Sequence, residues 1–247
     1  MLVKQKIKYI QSLGQKKFRD QEGLFIAEGP KIVKEFLQAG SANINELYAI
    51  NEWINDNKKL LSDTEVIEVT PTELERISKL TTPNNVVAVV KQFDHEPTIK
   101  TKGSITLALD TIQDPGNLGS IIRIADWFGI KNIICSKDCA DIYSSKVVQA
   151  SMGSIARVNI IYAELETRLN ATAGIPVYAT ALAGKAIDKI GKINEGILII
   201  GNESKGIHEN ILAKADEKIT IPGIGKAESL NAAVSAGIIL SHITSNK

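Results

Sequence analysis

Apolar residues along this 247-residue chain recur in two rhythms. From about residue 104 onward, strand-length apolar runs near 104–110, 131–135, 157–161, 176–180, 196–201 and 218–221 alternate with helical patterns, the last of them from about 228 to 243. That alternation predicts an α/β domain built on a parallel sheet with helices on both faces. Before residue 95 the same style recurs on a smaller scale, with strand candidates at 23–28, 46–50, 65–69 and 86–90. Between the two lies FDHEPTIKTKG, polar and carrying Pro97, which separates the apolar VVAVV from the apolar ITLALD. The expected organisation is a small α/β domain over 1–95, a linker over 96–103, and a larger domain over 104–247.

One helix in the larger domain has its apolar stripe at Ile121, Ile124, Ala125 and Phe128, and Arg123 falls roughly opposite it. The helix follows directly from a strand and an acidic Gly/Pro turn in LDTIQDPGNLGSIIRIADWFGI. In open α/β sheets, ligands sit where strand carboxyl ends meet helix N-termini, because unpaired N–H groups point there. Asn117 and Arg123 are thereby expected beside a ligand crevice. Two further segments show the same design. GILIIGNESKGI ends an apolar run at Gly201-Asn202-Glu203 before a Gly206 turn, and ITIPGIGKAESLNAAVSAGIIL runs from a short strand through a Pro/Gly loop into a helix with Ser229 and Asn231 in its expected first turn.

Phosphate-binding fingerprints do not account for these loops. A G-x-G-x-x-G pattern starting at Gly116 meets Leu118 and Ile121 where glycines belong, which weakens a nicotinamide-cofactor reading. Gly184-Lys185 and Gly225-Lys226 are each followed by alanine and lack the leading glycine of a P-loop.

Taken together, the three segments resemble the motifs of the SpoU family of RNA ribose 2′-O-methyltransferases in the SPOUT superfamily. The motif residues are Asn117 with Arg123, then Asn202, Glu203 and Gly206, then Ser229, Leu230 and Asn231 after Ile221-Pro222. The resemblance covers about Ser104 to the C-terminus. Residues 1–95 resemble, more loosely, the ribosomal-protein-like substrate-binding domain of many members, through GLFIAEGPKIVKEFL and TTPNNVVAVV. This implies a C-terminal trefoil knot whose loops hold S-adenosyl-L-methionine against Gly201, Ile221 and Leu230. It also implies ribose 2′-hydroxyl methylation of RNA, ribosomal RNA first and transfer RNA second. A noncatalytic RNA-binding protein is the alternative, and the joint presence of Asn117, Arg123, Glu203 and Asn231 argues against it. The chain departs from many relatives at Ser204, Gly223, Ala232 and Ala233, positions that bear on substrate choice.

The resemblance nominates Arg123 as the base. An ionised guanidinium has no acceptor, so the chemistry favours a phosphate clamp and electrostatic activator, with base action left open. Asn117 would orient the arginine or the ribose, and Glu203 would hold the guanidinium. Singly, Asn117, Ser229 and Asn231 read equally well as helix caps and Glu203 as a solvated charge near a helix start. Their appearance in three successive loops is what distinguishes them.

Composition narrows the surroundings. With 44% hydrophobic and 23% charged residues the chain is ordinary for a globular protein. A net charge of +1 excludes indiscriminate coating of nucleic acid, but Met1 to Lys34 carry eight basic residues against three acidic ones, a candidate RNA-tracking surface. Cys135 and Cys139, with three scattered histidines, match no zinc spacing, so neither metal nor disulfide is expected. The absence of a signal-like or membrane-length apolar run predicts a cytoplasmic protein without a membrane span. The last helix, apolar around most of its circumference at Leu230, Val234, Ile238 and Ile239, needs cover on more than one side and predicts a homodimer.

Overall fold

The computed structural model describes residues 2–40, 43–61, 64–99, 101–172 and 174–245; Lys100, inside the expected linker, lies outside them. The chain begins with α1 (Lys4–Ser12), α2 (Lys16–Glu22), β1 (Leu24–Glu28), α3 (Pro30–Ala39), β2 (Ile44–Ala49), α4 (Asn51–Asp56), β3 (Val66–Glu68), α5 (Pro71–Ile77) and β4 (Val86–Lys91). It continues through β5 (Ile105–Leu109), α6 (Pro115–Trp127), β6 (Asn132–Cys135), α7 (Ser145–Ser151), β7 (Asn159–Tyr162) and α8 (Leu165–Asn170). It ends with β8 (Val177–Ala186), β9 (Gly196–Ile200), α9 (Glu209–Leu212), β10 (Glu217–Thr220) and α10 (Ala232–Thr244). Each predicted strand is present with its ends within about two residues, except that β8 runs on to Ala186, well past the expected end at 180. Two compact units result: Met1–Asp94 with Asp141–Arg157, and His95–Ala140 with Val158–Lys247.

The first unit is a four-stranded sheet in the order β1-β4-β2-β3, antiparallel except for the β2–β3 pair. Strand alternation sends successive β1 residues to opposite faces. Leu24 and Ile26 join Ile10 and Leu13 of α1 and Leu74 and Ile77 of α5 in one core. Phe25 instead meets Phe36 edge-on and lies 4.9 Å, centroid to centroid, from Tyr143. Tyr143 also accepts the Phe93 N–H at 2.8 Å, and Asp141 pairs with the buried Arg19. These contacts draw 141–157 into the first unit, although continuous sequence assigns it to the 104–247 domain. Aromatic pairing across more than a hundred residues leaves no trace in local composition.

The second unit is a six-stranded, wholly parallel sheet in the order β10-β8-β9-β5-β6-β7. β5 and β9 are buried along their entire length, which is why both read as unbroken apolar runs. Ala108, Ile134, Ile197 and Ile199 face Leu165 and Leu169 of α8 and Ile211 of α9. α10 packs along α6, with Gly237 opposite the Ile124 side chain. α6 buries Leu118, Ile121, Ile122 and Ala125, so its buried face is rotated from the predicted stripe; Ile124 and Phe128 are only half-buried. The physical reason is α10, which offers a second, partial apolar surface to that helix.

Candidate active site

From β5 the chain steps outward through β6 and β7, whereas β9, β8 and β10 lie on its other side. The carboxyl ends of β5 and β9 therefore flank a topological switch point, where a crevice forms between diverging loops. Both loops leading from these strands carry sequence-predicted site residues.

After β5, Thr111 adopts φ 59°, a left-handed conformation that costs a β-branched residue roughly 1–2 kcal/mol. Hydrogen bonds hold it there: its N–H donates to Ser136 Oγ at 2.9 Å and its hydroxyl to Asp110 Oδ1 at 3.1 Å. Asp114 then caps α6, its carboxylate accepting the Asn117 N–H at 2.8 Å. With the capping role taken by Asp114, the Asn117 side chain is free for other partners. Its Nδ2 donates to Glu203 Oε1, and its Oδ1 accepts from Asn231 Nδ2 at 2.7 Å.

After β9, Asn202 and Gly206 exchange backbone hydrogen bonds at 3.0 and 2.9 Å, closing a tight turn around Glu203. Asn202 Oδ1 accepts from the Ser204 and Lys205 amides at 2.9 and 3.1 Å, while its Nδ2 donates to the Thr111 carbonyl at 3.0 Å. A Cβ at Gly201 would stand 2.5 Å from the Gly206 carbonyl atoms, so only glycine permits this approach. Asn231 is the N-cap of α10, accepting from Ala233 and Val234 N–H at 3.0 and 3.2 Å. The Ala232 N–H reaches Glu203 Oε1 at 3.4 Å, and a carboxylate at that helix start is favoured by the macrodipole.

Beside this network is a cleft of about 690 Å³, a volume suited to a small-molecule ligand. Ile221, Leu230 and Ile239 supply apolar wall, and Gly201, Gly206 and Gly223 expose backbone. The β8–β10 register jumps at Lys218/Ile219, so residues between Ala179 and Lys185 bow out, and Thr180, Ala181 and Leu182 form one rim.

The cysteines stand behind the β5 turn. Ile112 N–H donates to Cys139 Sγ at 3.3 Å and the Cys139 thiol donates to the Leu109 carbonyl at 3.3 Å. Its hydrogen bond with Cys135 draws the Cys139 thiol down to about 7, whereas the same bond, together with burial, pushes Cys135 up. Both thiols are free. Among the described residues no cluster of metal-ligating side chains occurs, and no helix is long and apolar enough to cross a membrane.

The structure unites Asn117, Glu203 and Asn231, and places Gly201, Ile221 and Leu230 on the cleft. It does not place Ser229 in the first turn of the last helix. α10 starts three residues later because Asn231 captures its first free N–H groups, leaving Ser229 exposed on the cleft wall. Glu203 makes no ion pair with Arg123; its Oε1 accepts instead from the Asn117 side chain and the Ala232 N–H. Arg123 stands exposed on α6, about 120° around the helix from Asn117. Asn202 is a structural member of the site that its motif signalled but capping logic alone did not. Asp110 and His208 were not legible at all: the buried Asp110 carboxylate accepts the His208 N–H at 2.7 Å and meets its Nδ1 at 3.0 Å across 98 residues.

Residues 104–241 match the SpoU rRNA Methylase family. The chain belongs to that family. Residues 4–88 of this SpoU protein match the MRM3-like substrate binding domain. It is 29% identical over 97% of its length, and 96% of the relative's, to the 23S rRNA (guanosine(2553)-2′-O)-methyltransferase RlmP of Bacillus subtilis. Among solved structures, an AdoMet-bound rRNA methyltransferase from Sinorhizobium meliloti superposes with TM-score 0.85 at 34% identity, covering 98% of this chain and 94% of that one. The SpoU methyltransferase AviRb from Streptomyces viridochromogenes, in complex with AdoMet, superposes with TM-score 0.82 at 26% identity, covering 97% and 96%.

Proposed function

We propose that this SpoU protein methylates a ribose 2′-hydroxyl in RNA, ribosomal RNA in the first place, using S-adenosyl-L-methionine. The observation that carries the proposal is the meeting of Asn117 from the first turn of α6, Glu203 from the loop after β9 and Asn231 at the start of α10, beside a cleft lined by Gly201, Ile221 and Leu230. The fit to the cofactor rests on that cleft: apolar Ile221 and Leu230 for a flat base, and backbone at Gly201 for close approach. When bound, the cofactor supplies an activated methyl group, so the protein's task is alignment and proton removal.

The residues divide that task. Glu203 fixes the Asn117 amide, which with Asn231 presents a polar edge to the ribose. Arg123, exposed on α6, clamps an RNA phosphate through its planar fork and lowers the cost of forming the alkoxide. Ser229 adds a hydroxyl at the cleft wall. The first unit serves as the RNA substrate-binding domain, its basic α1–α2 surface facing phosphates.

The same reading includes a trefoil knot in the second unit, implied by the SpoU family match over residues 104–241, and a cytoplasmic homodimer formed through α6 and α10, which pack together. Support for the dimer comes from apolar side chains left uncovered on these adjacent helices: Trp127 is 83% exposed, Val234 50% and Ile238 40%. Light scattering at micromolar concentration should return about twice 26.8 kDa. Mapping ribose methylation in ribosomal and transfer RNA from a deletion strain tests the activity. Loss of one 2′-O-methyl mark from ribosomal RNA supports it, and unchanged methylation in both RNA classes overturns it.

A further inference from the structure

We infer that Asp110 is a positioning residue for the catalytic network, holding both ends of the turn that presents Glu203. This deepens the methyltransferase reading and rests on it. Asp110 follows β5 and is 2% exposed. Its carboxylate bonds to Thr111 and His208 and to no residue lining the cleft, so its influence runs through the chain on either side of Glu203.

At the entry to the turn, Asp110 Oδ1 accepts the Thr111 hydroxyl at 3.1 Å and helps keep that residue left-handed. In that conformation the Thr111 carbonyl accepts the Asn202 side chain at 3.0 Å. Asn202 in turn gathers the Ser204 and Lys205 amides, so the turn's internal order depends on where Thr111 aims its carbonyl. At the exit, Asp110 Oδ2 accepts the His208 N–H at 2.7 Å, and both carboxylate oxygens meet His208 Nδ1 at 3.0 Å. One buried carboxylate thus ties down residues on both sides of Glu203, and a buried acceptor set of this kind tolerates little displacement. Thr111 is a costly choice for a left-handed position, and a relaxed backbone there would redirect the carbonyl away from Asn202.

The test uses full-length protein without cofactor or RNA. Hydrogen–deuterium exchange should show the Ser204, Lys205 and Gly206 amides exchanging at least about tenfold faster in Asp110→Asn than in the parent, with β5 and α6 protection retained. Thr111→Val, which removes one hydroxyl and keeps the side-chain shape, should act in the same direction and decides the matter if Asp110→Asn does not fold. In turnover assays both variants should lose kcat by about tenfold or more while KM for RNA stays within about twofold. Unchanged exchange at 204–206, exchange raised uniformly across the second unit, or local loosening with full kcat would each overturn the inference. Because exchange needs no methyl transfer, a chain without methyltransferase activity would still report whether Asp110 orders the turn.

Discussion

Asn231 donates its side-chain amide to Asn117 Oδ1 at 2.7 Å, joining the starts of α10 and α6 across 114 residues. The same Asn231 caps α10 through its own amide oxygen. One side chain therefore carries both a stabilising and a site-building bond, and substitution can separate them.

Asn231→Ala loses both and should destabilise the protein by about 1–2 kcal/mol as well as reduce turnover. Asn231→Ser retains a capping oxygen but not the amide donor. It should keep nearly the parental denaturation midpoint while turnover still falls. Urea unfolding alongside single-turnover methylation checks the pair; a fully active Asn231→Ser would show that the bond to Asn117 is dispensable.

Among the described residues the exposed Arg123 side chain forms no hydrogen bond or ion pair, so its removal should leave the fold intact. Arg123→Ala should lower turnover by at least about a hundredfold, with cofactor affinity nearly unchanged. Arg123→Lys keeps the charge without the fork. A clamp predicts residual activity with the parental pH profile, whereas a base predicts a profile that moves toward that of lysine.

Gly201→Ala tests the cleft directly. The added methyl would meet the Gly206 carbonyl at 2.5 Å, contact that backbone must move to relieve. Calorimetry should show S-adenosyl-L-methionine affinity reduced by about tenfold or more, with the first unit unaffected. Parental affinity would remove Gly201 from the pocket.

Glu73 sets an acid-side prediction. Its carboxylate accepts N–H groups from Thr70 and Leu2, bonds that hold it down to about 2, led by Thr70. Because the folded value lies below the unfolded one of about 4.3, its stabilising contribution is complete above the unfolded value and disappears as pH falls toward 2. Glu73→Gln should therefore be less stable than the parent near neutral pH, with the gap closing across that acid window. Thermal melts at stepped pH measure it; a gap independent of pH would assign the loss to something other than the charge.

The strands illustrate what sequence alone can determine. β5 and β9 are buried on both faces, and a doubly buried strand has to be apolar at every position, so its location is written locally. The same holds for the three loops, since glycine, proline and asparagine at strand ends announce tight turns wherever they occur. Sequence also singled out Asn117, Glu203 and Asn231, through a resemblance that treats distant loops as one pattern.

Tertiary structure decided how those residues are used. Asp114, not Asn117, caps α6, and the Asn117 amide, placed in the first turn, bonds instead to Glu203 and Asn231. Asn231 starts α10 and leaves Ser229 outside it. Segment 141–157 joins the first unit because Tyr143 stacks near Phe25 and Asp141 pairs with Arg19. Asp110 and His208, and the left-handed Thr111 between strand and site, left no local mark. Periodicity and turn chemistry report a residue's immediate backbone neighbourhood, whereas hydrogen-bond partners 98 or 114 residues away are chosen only when the sheet brings its strand ends together.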